Sequence, residues 1–151
     1  MLLDEQTALA REIAEHFGAD ESAIHDLRED PHAGYRAVHV WLRMPAGRVE
    51  IQIRTTLQSL WANTYEGLGD ALGRGIRYGH PIEGDQPIHG VPAAKVREVI
   101  EAMHRMSAGI ARLEAGIEAI QEGYPQKVAA IMAAMARLQA SLDSAVARES
   151  G

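Results

Sequence analysis

The residue types able to do chemistry are concentrated between Gly34 and Arg54, where the chain reads GYRAVHVWLRMPAGRVEIQIR. His39, Glu50, Gln52 and Arg54 supply an imidazole, a carboxylate, an amide and a guanidinium. A carboxylate on a rigid strand binds a hard cation or acts as a general base. A guanidinium presents a fork matched to phosphate oxygens. Tyr35 adds an aromatic ring just upstream. Such a set suits phosphoryl chemistry, which needs positioning and charge neutralisation more than covalent help. The plainer reading is a solvated strand face with Glu50 and Arg54 tied to neighbours, and the alternation fits that equally well.

The elements that must position these groups follow from periodicity. Val38, Val40 and Leu42 alternate with Ala37, His39 and Trp41; beyond a turn at Pro45-Ala46-Gly47, Val49, Ile51 and Ile53 alternate with Glu50, Gln52 and Arg54. Successive strand side chains face opposite ways, so an antiparallel hairpin buries the aliphatic set and gathers His39, Glu50, Gln52 and Arg54 on the other face. A two-stranded sheet is marginal alone, so helices, a partner or further chain must complete it. Residues 2 to 17 predict an amphipathic helix stopped by Gly18. Residues 19 to 33 read as a polar loop, with Asp26 and Asp30 as turn residues. Thr55 or Thr56 caps a helix running to about Leu72, with Trp61 in the core. Gly73 to Val91 reads as a loop long enough to suggest function or mobility, with Arg74 and Arg77 solvated beside Tyr78. From Val96 the apolar residues Val99, Met103, Met106, Ile110, Leu113, Ile117 and Ile120 follow at spacings of three and four, a heptad seam. Gly123 ends it, Pro125 opens a second helix, and Val128, Ile131, Met135, Leu138 and Leu142 resume it, predicting an antiparallel helical hairpin.

Composition narrows the classes. The 151 residues suit one domain, and 46% hydrophobic content with few aromatics favours helix-rich packing. A formal net charge of −6 argues against broad nucleic-acid or anionic-membrane binding while leaving room for a local basic pocket. The absence of cysteine removes disulfides, thiolate metal sites and cysteine catalysis, and fits a cytoplasmic location. No apolar run approaches the roughly 18 residues of a membrane span, and MLLDEQ has no signal-peptide character. No paired histidine spacing marks a zinc site, and no GxxxxGK[ST] loop occurs.

Three blocks in order, Gly34-Tyr35-Arg36-Ala37-Val38-His39, Glu50-Ile51-Gln52-Ile53-Arg54-Thr55 and Trp61-Ala62, closely resemble the synthetase domain of RelA/SpoT proteins. The resemblance covers roughly residues 1 to 78. It implies an α+β fold, a partial nucleotidyltransferase-like domain; beyond it the residue pattern predicts a loop at 79–92 and a coiled-coil-like helical hairpin over 93–151. It also implies pyrophosphate transfer from ATP to the 3′-hydroxyl of GDP or GTP, giving (p)ppGpp, with magnesium. By the same resemblance Tyr35 stacks on guanine, His39 sits by the acceptor phosphates or ribose, Glu50 holds magnesium or takes the 3′-hydroxyl proton, and Gln52 and Arg54 support the acceptor pocket. Asp26 matches a position often flanked by basic residues in the family. Ala37 stands where a small hydroxyl residue is usual. The family's donor half, with an Asp in a D-x-x-G-x-R context, has no counterpart in these residues. The expectation is therefore an acceptor half that makes no (p)ppGpp alone, uses ATP only if the other half is supplied, and assembles as a homo-oligomer through the helices. The alternative is a nucleotide-binding or helical interaction module without catalysis.

Overall fold

The computed structural model describes residues 1–149, with side chains described to residue 137. The chain separates into two units, Met1–Glu114 and Ala115–Gly151. The first unit runs α1 (Leu3–His16), a short 3-10 turn, β1 (Ile24–Asp26), β2 (Val38–Met44), β3 (Gly47–Ile53), α2 (Thr56–Leu72), a second 3-10 turn at Arg74–Tyr78, and the start of α3 (Ala93–Glu149).

The sheet has three antiparallel strands in the order β1-β2-β3. The hairpin is thus as expected, but residues 19–33 are not a plain loop. Ile24, His25 and Asp26 pair with Val40, His39 and Val38. Three residues are too short for alternation to register in a sequence, and the turn signals around them dominate. Asp26 closes this strand by a bidentate contact with Arg28, whose Nη2 lies 2.5 Å from Oδ2. Burial works to raise the Asp26 pKa, but the hydrogen bonds and charge of Arg28 together outweigh it and hold the carboxyl below its usual value.

The aliphatic face packs as the alternation requires. Val38, Val40, Leu42 and Ile53 form one core cluster with Ala10 and Ala14 of α1. Small alanines on α1 let the helix approach the sheet closely. Gln6 is fully buried there and donates its amide to the Ile53 carbonyl and to Gln58 Oε1. Thr55 caps α2 by accepting from Gln58 N at 3.1 Å.

A second cluster joins Trp61, Ala62 and Tyr65 of α2 to Ile76, Val96 and Met103. Trp61 is therefore core, and its indole Nε1 donates to the Met103 carbonyl at 2.7 Å. The stretch expected to be a loop contains the 3-10 turn and a bridge between Ile88 and Val91. Arg77 is engaged there with Asp70 and the Glu66 carbonyl.

In place of two antiparallel arms, α3 is one continuous helix that carries Pro125 within it. Proline removes one backbone hydrogen bond and disfavours a helix interior. Here, however, the helix runs on through both residues, and Gly123 lacks the positive φ that a left-handed cap requires. The heptad seam also shifts within the first unit. Val96, Met103, Ser107 and Glu114 are buried, whereas Met106 and Leu113 are exposed. Polar Ser107 and Glu114 occupy buried positions because partners await them. Glu114 accepts from the Thr55 hydroxyl and from Gln58 Nε2, and Ser107 bridges Arg36 and the Gly34 carbonyl.

In the second unit α3 exposes Ile117, Ile120, Tyr124, Val128, Ile131 and Met135. Leu138 and Leu142, expected to continue the seam, lie outside the residues whose side chains are described. No described helix is long and apolar enough to cross a membrane.

Candidate functional site

The site is built on the sheet face turned away from α1. His39 and Gln52 are register partners, as are Trp41 and Glu50. Period-two geometry therefore places all four on that face. Tyr35 reaches them from the turn before β2. Its N–H bonds the His32 carbonyl at 2.9 Å, and Gly34 beside it has φ +85. A Cβ at Gly34 would come within 3.0 Å of the Trp61 ring, so both the turn and the close approach demand glycine.

The side chains close into a ring. Tyr35 OH lies 3.0 Å from His39 Nε2 and 2.9 Å from Gln52 Oε1. His39 Nδ1 lies 3.1 Å from Glu50 Oε1, and Gln52 Nε2 donates to that same oxygen at 2.7 Å. Glu50 accepts from both neighbours, so the imidazole carries its proton on Nδ1. Burial lowers the His39 pKa; Glu50 opposes this, while Arg54 and His25 reinforce it. A neutral His39 then offers Nε2 as an acceptor. One tyrosine proton faces two acceptors, His39 Nε2 and Gln52 Oε1, and only one can be filled. The other is a lone pair open to a donor from a ligand. Burial also raises the Tyr35 pKa, with Arg54 opposing it, so the phenol keeps its proton at neutral pH.

Arg54 completes the arrangement. Its guanidinium carbon stands 5.9 Å from the Tyr35 ring centroid. Its Nη1 is buried without a hydrogen-bond partner. A buried charged donor without an acceptor is costly and calls for an anion.

Glu50 is exposed, with 43% of its side chain open to solvent, while His39 is largely buried. Both contacts fall on Oε1, leaving Oε2 free. Among the described residues no group of three histidine or acidic side chains converges on a point where a metal could sit. One free carboxylate oxygen does not make a resident magnesium site, so the residues present do not fit the ion.

The structure therefore brings together Tyr35, His39, Glu50, Gln52 and Arg54. Asp26 stands apart in its pair with Arg28, and Arg77 is taken by Asp70. Sequence reasoning missed His25, which pairs with His39 across β1 and packs its ring 3.9 Å from that of Trp41. A three-residue strand left no periodic signal by which to find it.

No family model matches the chain. Over 115 residues it is 66% identical to uncharacterized proteins of Mycobacterium bovis and Mycobacterium tuberculosis. That match takes in 76% of this chain and 41% of each relative, so the chain spans about two-fifths of the curated relatives it matches. Among solved structures it is similar to small alarmone synthetase 1 from Bacillus subtilis, with a TM-score of 0.54 at 20% identity over 83% of this chain and 60% of that one. The same synthetase bound to its product pppGpp gives a TM-score of 0.52 at 20% identity, covering 81% of this chain and 58% of that one. Small alarmone synthetase 2 from Bacillus subtilis gives 0.51 at 12% identity, covering 80% and 60%. The likeness is one of fold. Over most of its length the chain resembles RelA/SpoT-family synthetases in its small antiparallel sheet, the two helices packed with it, and the long helix that follows.

Proposed function

We propose that this chain carries the acceptor side of a RelA/SpoT-type synthetase site and binds a guanine nucleotide, GDP or GTP. In this reading guanine stacks on Tyr35. His39 Nε2 or Gln52 Oε1, whichever the tyrosine proton leaves unfilled, accepts a hydrogen bond from the nucleotide. Arg54 Nη1 finds its missing acceptor in a phosphate oxygen, and Glu50 Oε2 is placed to take the proton of an attacking 3′-hydroxyl. The observation that carries this is the ring itself, with an unfilled acceptor on one side and an unsatisfied guanidinium on the other.

Transfer would require a donor, and the D-x-x-G-x-R pattern that serves it in the family does not occur in these residues. The proposal is accordingly binding of the acceptor without (p)ppGpp formation by this chain alone. Any ATP-dependent step would need a donor half supplied separately. Titration calorimetry with GDP tests it: binding by the wild type and its loss in Tyr35→Ala are expected. Failure of the wild type to bind GDP or GTP overturns the reading. Robust (p)ppGpp formation from ATP and GDP overturns the claim of inactivity.

We further propose that the exposed stripe Ile117, Ile120, Tyr124, Val128 and Ile131 supports self-association, since its three-and-four spacing matches a helical seam.

A further inference from the structure

The tip of the β2–β3 hairpin has a feature that the guanine pocket does not use. Arg43 and Arg48 stand opposite each other in the strand register, on the same face as Trp41 and Glu50. Like charges directly opposite one another destabilise a sheet. Among the described residues neither arginine has an ion pair or hydrogen bond to relieve this. Asp20, which shares a cleft with Arg43, accepts from the Ser22 amide and hydroxyl on Oδ1. Trp41 is 52% exposed, and His25 packs against its ring. A cleft of about 390 Å³ at the tip is lined by Trp41, Leu42, Arg43, Arg48, Val49 and Glu50.

An exposed indole is a platform for a base, and two unpaired guanidinium groups beside it suit a polyphosphate. Trp41 and Arg43 are two residues apart on one strand, on the order of 7 Å, a distance a nucleotide spans between base and phosphates. We propose that the hairpin tip binds a purine nucleoside triphosphate, with its base on Trp41 and its phosphates across Arg43 and Arg48. The register fixes the ligand's sense. Glu50 lies opposite Trp41, and the arginines form the next pair on this face, toward the turn. The phosphates therefore point away from Glu50 and His39. A nucleotide held this way is a bound effector, not a reactant at Glu50. The inference stands independently of the guanine reading.

Calorimetry on the full chain tests it, with ATP as the probe and GDP as the reference. ATP is expected to bind the wild type and Tyr35→Ala. Its affinity is expected to fall about tenfold or more in R43Q/R48Q and in Trp41→Ala. GDP affinity is expected to be unchanged in R43Q/R48Q. The double variant removes a repulsion, so its melting temperature should hold or rise, which separates lost binding from lost fold. ATP binding retained in either variant, or absent from the wild type, overturns the inference. So does a lower melting temperature in R43Q/R48Q, which would mean the arginines are paired within the fold. Absence of GDP binding throughout, with the ATP pattern intact, would instead sink the guanine reading alone.

Discussion

Replacing Arg54 by methionine should make the empty protein more stable and the ligand weaker. The buried Nη1 has no acceptor, and an unsatisfied buried donor costs about 1–3 kcal/mol. The guanidinium recovers part of this by lying over Tyr35, a contact that contributes about 0.5–1 kcal/mol. Methionine keeps the unbranched stem and removes both terms. The net gain is roughly 1 kcal/mol, or about 2–4 °C in melting temperature for a chain of this size. Binding should move the other way. A charged hydrogen bond to phosphate is worth about 1.5–3 kcal/mol, so GDP affinity should drop by about tenfold to a hundredfold. Urea denaturation of both proteins gives the first quantity, and calorimetric titration gives the second. The reasoning is refuted if Arg54→Met is destabilised by 1 kcal/mol or so and binds GDP as the wild type does. That result would mean the guanidinium serves the fold and not a ligand.

Tyr35→Phe removes the single proton for which His39 and Gln52 compete, so it should keep the ring for stacking and lower GDP affinity less than Tyr35→Ala; equal losses in a titration series would remove the ring's stacking role. His39 has its pKa depressed by burial, so the unfolded chain binds more protons, and stability should be full above about pH 6.5 and fall as the pH drops toward the folded value. His39→Gln should flatten that acid slope in urea melts at stepped pH, and an unchanged slope would place the titration elsewhere. Glu114→Ala strips the acceptor from Thr55 and Gln58 and should cost about 2–3 kcal/mol; a cost under half a kilocalorie, read from the same melts, would show that water replaces the carboxylate. Ile120→Asp should reduce any self-association seen by light scattering without shifting the melt of a dilute sample, and an unchanged mass would discard the stripe as an interface.

Where the sequence carried a repeating signal, it was readable. The alternation through Val38, Val40 and Leu42 set the buried face, and with it the side to which His39, Glu50 and Gln52 turn. What stayed hidden had either no period or two competing signals. Ile24 to Asp26 is too short to alternate and sits among turn residues. Gly123 and Pro125, two residues apart, are break signals in sequence, yet the helix runs through both. The seam of α3 misled for a third reason. Hydrophobicity alone selects Met106 and Leu113, yet Ser107 and Glu114 are the residues turned inward, because Arg36, Thr55 and Gln58 present partners for them. A buried polar residue becomes legible only with its partner, and those partners lie far away in the chain.

The same logic explains why the candidate site draws on so few elements. Thr55 caps α2 one residue after Arg54, and Glu114 fixes Thr55 from α3. Gly34 lies against Trp61, and its carbonyl is held by Ser107. The two ends of the Tyr35–Arg54 pair are thus each fastened to α2 and α3, while β2 and β3 hold His39, Gln52 and Glu50 in register between them. A loosened α3 contact would disturb Tyr35 and Arg54 and leave the strand residues in place. Glu114→Ala should therefore weaken GDP binding by more than its global stability loss explains, whereas Leu60→Ala, at an exposed position on α2, should leave binding untouched. GDP affinity identical in wild type and Glu114→Ala, measured well below the melting transition, would show that the strands alone hold the site.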